Sequence, residues 1–371
     1  MNRPLGDSSE PAPAALSEAI SQARAIVQTE WATKVPGMSI AVAVGGATIW
    51  TEEFGLADVA ANIPVTRGTR FRIGSVSKPL TAAGLALLVE RDQLDLDAPV
   101  QEYVPDFPQK EGVITTRLLA GHLSGIRNYR GTEASSNTPF PDLRSGLKIF
   151  EADPLEAPPG TKFSYCSYNY NLIGAVMESA AKQDFLGYME ENVIQPLGLT
   201  QTRPDRAGVV DPQRTQFYET NAEGKFFVAP TVNLSYGWPA GGFLSTAEDM
   251  VRFGNAHVHP GFLKPESRRL LFTSQTTEVG KLTNYGVGWF VRPPALFHGG
   301  DSFGGTAILL LHPASRTVVA IVSNGGQGLL RNAVRQGKVA AKEADPFLFN
   351  KEITAMKVAK IFALSIAEHK Y

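Results

Sequence analysis

The segment Arg70-Phe71-Arg72-Ile73-Gly74-Ser75-Val76-Ser77-Lys78-Pro79-Leu80 passes from a short extended run, 70–73, into leucines and alanines at helical spacing across 77–91. Ser75 therefore stands between a strand-like segment and a long helix, where the unpaired backbone N–H groups of a first turn favour a developing oxyanion. Pro79 suits that turn, which has little use for its missing N–H. Lys78 follows Ser75 by three residues, one helical turn, so an ammonium can lie against the hydroxyl and ease formation of an alkoxide. Alone the spacing says little, because it recurs at Ser145/Lys148 and Ser179/Lys182. Ser179 falls in a helical stretch, 172–181, where its hydroxyl bonds back to the preceding turn or faces water. Ser145 follows a proline-rich loop and reads as the cap of a short segment, 146–151. The plain alternative for Ser75 is likewise a helix N-cap.

Outward from this segment, Leu16, Ile20, Ile26 and Val27 mark an amphipathic helix over about 15–31. Two β-rich runs, 38–44 and 47–54, flank Gly45-Gly46, a hairpin signal. From 94 to about 239 helical segments alternate with proline- and glycine-rich loops at 130–141 and 203–229. Strand signals return at 286–291, 306–311 and 317–323, and an amphipathic helix is predicted over 351–369. The expected fold class is α/β of the α+β kind: an antiparallel sheet flanked by N- and C-terminal helices, with a mostly helical second lobe. One domain, 1–371, is expected, its α/β lobe at about 14–92 and 240–371 and its helical lobe at about 93–239.

The chain has 371 residues, 43% of them hydrophobic, enough for a sizeable core. Its 35 basic residues balance 36 acidic ones, so no broad basic face for nucleic acid or anionic lipid is implied. The single cysteine, Cys166, excludes an internal disulfide and argues against a cysteine-based zinc site. The polar stretch 1–15 lacks the apolar run of a signal peptide, and no later stretch reaches membrane-spanning length. The expectation is a soluble chain, cytoplasmic as written, periplasmic or organellar if a targeting segment has been trimmed. No metal is expected. His298 has no sequence neighbours at zinc spacing, and the His257-x-His259 pair reads as solvated on a loop ending at Pro260. His122 reads as a structural hydrogen-bonder, Tyr170 as core packing, and Cys166 as a buried small hydrophobe.

A second nucleophile signal is Gly300-Asp301-Ser302-Phe303-Gly304, which has the G-x-S-x-G form. That elbow requires a helix after the serine, yet 306–311 reads as a strand. The histidines that follow are His312 and His369, which give no coherent triad order.

Three separated segments, Ser75-Val76-Ser77-Lys78, Tyr165-Cys166-Ser167 and His298-Gly299-Gly300, resemble the active-site motifs of the class C β-lactamase and penicillin-binding-protein superfamily. That superfamily also contains D-peptidases and esterases. The flanks agree: Pro159-Gly160-Thr161-Lys162-Phe163 leads into the tyrosine, Gly174 follows it, and Gly241-Gly242-Phe243-Leu244-Ser245-Thr246 opens a later helix. The resemblance runs from about Val35 to Gly325. It is greatest to the branch of mitochondrial serine β-lactamase-like proteins, through Leu94-Asp95-Leu96-Asp97, Arg117-Leu118-Leu119, His122-Leu123-Ser124-Gly125-Ile126-Arg127 and Phe253-Gly254-Asn255-Ala256.

The resemblance implies an α/β sandwich with a helical second lobe and an active site in the cleft between them. It implies that Ser75 is acylated, that Lys78 is its ammonium partner, and that the Tyr165 phenol relays protons. The backbone N–H groups of Ser75 and Asp301 would form the oxyanion hole, with Ser167, His298, Gly299 and Gly300 lining the site. Whether Lys78 or Tyr165 is the base stays open; neighbouring positive charge is expected to lower the tyrosine pKa. No cofactor is implied, the partner is a small-molecule or peptide acyl substrate, and self-association is open to the chain because members of the nearest branch form filaments.

Two departures bear on substrate. Ser167 stands where the superfamily usually has asparagine, and Gly299 where β-lactam-recognising members carry threonine or serine to hold a carboxylate. The function expected is a serine hydrolase acting through an acyl-enzyme on esters or amides, carboxylesterase-like, with weak β-lactamase or peptidase activity. The alternatives are an inactive, self-assembling scaffold and an acyltransferase to an alcohol or amine.

Overall fold

The computed structural model describes residues 14–221, 225–326 and 347–367. The polar start at 1–13 and the last four positions, with His369, lie outside the described residues. In chain order the strands are β1 (Gly37–Val44), β2 (Ala47–Asp58), β3 (Ile63–Pro64), β4 (Phe71–Arg72), β5 (Arg203–Pro204), β6 (Tyr218–Thr220), β7 (Phe226–Val228), β8 (Phe243–Ser245), β9 (Phe290–Arg292), β10 (Ala295–Ser302), β11 (Gly305–His312), β12 (Thr317–Ser323) and β13 (Gly325–Gly326). The helices are α1 (Ala14–Glu30), α2 (Ser77–Glu90), α3 (Thr116–Ala120), α4 (Leu143–Leu147), α5 (Ser167–Ala181), α6 (Phe185–Met189), α7 (Trp238–Gly241), α8 (Ala247–Val258), α9 (Pro265–Phe272) and α10 (Phe347–Ala367).

Seven strands form one antiparallel sheet in the order β3-β2-β1-β12-β11-β10-β9. Both of its faces are covered, so β1 and β12 read as apolar runs rather than as alternation. Met38, Ile40 and Val42 of β1 pack with Ala19, Ala23 and Val27 of α1 and Val358, Ala359 and Phe362 of α10. The opposite face carries Ala41, Leu309 and Val318 into a second core shared with Leu85, Tyr168, Leu172 and Val251 of the helices. Small residues allow the close packing there: a Cβ on Gly254 of α8 would stand 2.5 Å from the Val318 side chain. Gly45 and Gly46 turn the β1–β2 hairpin at φ 60° and 98°, which L side chains disfavour.

The antiparallel sheet, its flanking terminal helices and the helix-rich segment between its halves match the architecture expected from sequence. Three differences stand out. The strand expected over 286–291 begins only at Phe290, as Phe290–Arg292, because the chain turns at Gly288, φ 79°, and Gly286 passes so near α9 that a Cβ on it would lie 2.1 Å from the Leu271 carbonyl. A full strand, β10, lies where none was expected; Gly299-Gly300-Asp301 has little intrinsic β preference and is held by pairing with β11. The loop-rich stretch 203–229 contributes β5 to a small sheet with β4 and β8, and β6 and β7 to another with β13. No helix among the described residues is long and apolar enough to cross a membrane.

Candidate active site

Ser75 occupies a single 3₁₀ turn, Gly74–Val76, that joins β4 to α2. The turn is pinned on one side by Ile73 N–H donating to the Phe243 carbonyl at 3.1 Å. On the other it meets the end of β10. Gly74 has φ 49°, and a Cβ there would lie 2.7 Å from the Asp301 nitrogen; a Cβ on Gly300 would lie 1.8 Å from the Ile73 carbonyl and 3.1 Å from Ser75 N. Only glycine fits at these two positions, and their meeting brings the backbone of 300–301 against that of 73–75. β9 pairs with β10 only at 295–297, so the edge of β10 from His298 onward is left unpaired by that strand.

Lys78 lies on the first turn of α2 with its side chain fully buried. Its Nζ is 3.0 Å from Ser75 Oγ, 2.7 Å from the Ala240 carbonyl and 3.4 Å from Ser167 Oγ. Its other near neighbours are the rings of Tyr165 and Tyr170, at 5.0 and 5.6 Å. Burial away from water, with no carboxylate to offset it, lowers the amine from its ordinary 10.5 to about 7. Tyr165 moves the other way. Its hydroxyl is buried, and desolvation pushes its pKa well above the usual 10.0 despite an opposing pull from the Ser75 side chain. The expectation that positive charge would lower the phenol is therefore corrected: loss of water dominates, and the neighbouring charges that act on the phenol raise it further.

The second motif enters at the N-terminus of α5, where Cys166 is the N-cap but supplies no side-chain cap. Two residues from the 122–128 loop hold it instead. Asn128 donates Nδ2 to the Tyr165 carbonyl at 3.3 Å and accepts the Ser167 N–H at 3.1 Å, clamping both ends of the motif. His122, buried and at φ 58°, accepts the Cys166 N–H on Nδ1 at 3.2 Å, and its ring lies 4.3 Å from that of Tyr165. Cys166 donates its thiol to the Arg127 carbonyl at 2.9 Å, and burial raises its pKa to about 12.

In the third motif His298 is buried and faces inward. Its Nδ1 donates to the Gly299 carbonyl at 2.7 Å, and its Nε2 is in hydrogen-bond contact with the Tyr285 hydroxyl at 3.0 Å. The turn after β10 is fixed by Arg72, which donates to the Phe303 carbonyl at 2.7 Å, and by buried Glu219, which accepts the Gly304 N–H at 2.6 Å.

Ser75, Lys78, Tyr165, Ser167 and the 298–301 strand thus meet in one place. The other serines do not. Ser302 closes the β10–β11 hairpin opposite Gly305. Ser145 is the third residue of a capping box whose N-cap is Asp142, not itself the cap. Ser179 donates to the Tyr103 carbonyl at 2.5 Å rather than to its own helix or to water. His257, expected on a solvated loop, is buried in α8 between Phe253 and Trp289, and desolvation lowers it to about 4. Asn128, Tyr285 and the Ala240 carbonyl were not anticipated. Asn128 had a faint signal, standing just past the 122–127 segment; a carbonyl acceptor has none.

This fold and this grouping define the β-lactamase-fold serine hydrolases as the class. The sequence model of the β-lactamase family matches residues 23–342, and the chain belongs to that family. It is 30% identical to the human mitochondrial serine beta-lactamase-like protein LACTB over 75% of this chain and 69% of that protein. Among solved structures it resembles D-amino acid amidase from Ochrobactrum anthropi SV3 complexed with L-phenylalanine amide, at 21% identity and TM-score 0.77 over 94% of this chain and 99% of that one. It also resembles EstCE1, a hydrolase with promiscuous acyltransferase activity, at 20% identity and TM-score 0.71 over 87% and 98% of the two chains.

Proposed function

We propose that this protein hydrolyses neutral carboxylic esters through an acyl-enzyme on Ser75, with Lys78 as general base and Tyr165 as proton relay. The contact between Lys78 Nζ and Ser75 Oγ, 3.0 Å and without a carboxylate nearby, carries this reading. An amine titrating near 7 is substantially unprotonated at neutral pH, and its lone pair can take the Ser75 proton as Oγ attacks the substrate carbonyl. The oxyanion so formed would accept from the N–H groups of Ser75 and Asp301. As the tetrahedral species collapses, the C–O bond to the leaving group breaks. Tyr165, a protonated phenol, gives its proton to that oxygen and takes one from the Lys78 ammonium. Water then attacks the acyl carbonyl by the same route, and Ser75 regains its proton.

Substrate preference follows from Gly299, which offers no hydroxyl to a carboxylate at the third motif. Arg127 offers no substitute, since its guanidinium is bound by Glu133 and Asp153. A carboxylate-bearing substrate loses one charge-assisted hydrogen bond, about 1.5–3 kcal/mol, whereas a neutral ester loses nothing. Acyl transfer to an alcohol is a second reading, favoured by the promiscuous acyltransferase activity of EstCE1.

The test is a fluorophosphonate probe with mass spectrometry, then turnover of p-nitrophenyl esters, D- and L-aminoacyl amides and nitrocefin, with and without competing alcohols. The expected result is an adduct on Ser75, lost in Ser75→Ala, and esters turned over fastest. An adduct on Ser302 and none on Ser75 would overturn the mechanism.

A further inference from the structure

Away from Ser75, a cavity of about 540 Å³ opens beside the small sheet β4–β8–β5, on the Leu244 side of β8. Arg70, Arg203, Arg206 and Arg214 line it, together with Asp205 and Asp211. The two carboxylates are already engaged. Asp211 accepts Arg70 Nη1 at 2.5 Å, and Asp205 accepts both Arg72 Nε at 2.7 Å and Arg214 Nη1 at 3.1 Å. Arg203 and Arg206 form no ion pair with a carboxylate among the described residues. Arg206 lies instead over the Trp238 ring, 5.3 Å from its centroid.

The fold holds these cations together against their mutual repulsion. Arg70 is 4% exposed, its Nε–H has no hydrogen-bond partner among the described residues, and burial and then the charge of Arg203 depress its pKa. Neither arginine is placed by a swinging loop. Arg203 is paired in register with Leu244 of β8, and Arg70 is bridged to Arg214 and donates its N–H to the Gln213 carbonyl at 2.7 Å. Four lining cations against two lining anions leave an excess of two positive charges inside a concave surface.

We propose that this cavity binds a phosphate-class oxyanion, as free phosphate or as the phosphate monoester of a small organic molecule. A dianion matches the charge excess, and planar guanidinium groups offer the paired N–H donors that phosphate oxygens accept. Val209 and Val210 stand exposed at the rim, 51% and 89%, where they would meet the organic part of a monoester. The proposal does not depend on the hydrolase reading.

Titration calorimetry of the wild type with inorganic phosphate, glycerol 3-phosphate and acetate tests it, alongside Arg203→Gln/Arg206→Gln and, as a control on another face, Arg269→Gln. Both phosphates are expected to bind the wild type and the control at millimolar affinity or better, and acetate more weakly. The double variant should weaken phosphate binding by at least about tenfold, the loss of one to two charge-assisted contacts. Tighter binding of glycerol 3-phosphate assigns a monoester, and equal binding assigns the free ion. Both exchanged arginines are exposed, and a melt without ligand verifies that the variant is folded. No phosphate binding at millimolar concentration, or binding unchanged in the double variant, would overturn the proposal.

Discussion

Lys78 and Arg127 are both cations buried to within a few per cent, at 0% and 4% exposure, and they behave in opposite ways. Arg127 receives Glu133 on two nitrogens at 2.7 and 2.9 Å, Asp153 at 2.7 Å, and the carbonyls of Asn128 and Ile149. Burial alone would lower its pKa, but those carboxylates outweigh it and hold the guanidinium charged. Among the described residues Lys78 is given only hydroxyls and one carbonyl, and burial lowers its pKa to about 7. Burial does not make a base. Withholding the counter-ion does, and the Arg127 hub, with its acids, ties 127–133 to 149–153 and thereby steadies the loop that clamps the second motif.

The largest effect expected is that of Lys78→Met, which removes the proposed base while nearly keeping the length of the side chain. Activity should fall by at least about a thousandfold, within the range for a lost general base. The melting midpoint at pH 7 should rise, because the folded state no longer holds an amine that prefers to be protonated in water. A lowered midpoint with activity retained breaks the contrast. Arg127→Leu should do the reverse. Stability is expected to drop by roughly 3 kcal/mol in urea melts, the low end for one partner removed from a buried ion cluster, since Glu133 and Asp153 keep some water.

Tyr165→Phe should cost about a hundredfold in kcat with an unchanged melt. In the wild type, kcat/KM should rise with pH through about 7 as Lys78 loses its proton. It should not fall again below the ordinary phenol value of 10.0, because Tyr165 keeps its proton to higher pH. A bell with a falling limb near 8 would assign the proton donor elsewhere than Tyr165. The smallest effect is reserved for Gly299→Thr, which should narrow the gap between neutral esters and nitrocefin by about tenfold, one charge-assisted hydrogen bond.

Much of the architecture is legible in the chain because its signals are local. Gly45-Gly46 between two β-rich runs, or leucines at helical spacing after Ser77, need no distant partner to be read. Lys78 could be placed one turn from Ser75 for the same reason. What resisted reading depends on neighbours outside the segment being read. β10 forms because β11 pairs with it, against the weak preference of Gly299-Gly300-Asp301. The Ala240 carbonyl that takes a Lys78 proton donor belongs to the main chain, which has no residue-type signature. His257 looked solvated because Phe272 and Trp289, which bury it together with Phe253 of its own helix, come from outside α8. Opposed shifts for Lys78 and Tyr165 likewise come from desolvation, which only the packed structure reveals.

The meeting of Gly74 with Asp301 carries a consequence for biosynthesis. The two segments are separated by most of the chain, and such contacts form late because loop closure precedes any reward for it. A growing polypeptide displays Ser75 and Lys78 early on the ribosome, but it can assemble neither the approach of the Asp301 backbone to Gly74 nor the dry pocket around the amine until β10 has emerged and docked. On the mechanism proposed above, nucleophilicity is thus withheld from the nascent chain and from unfolded or truncated copies. Labelling of Ser75 becomes a report that synthesis and closure of the sheet are complete.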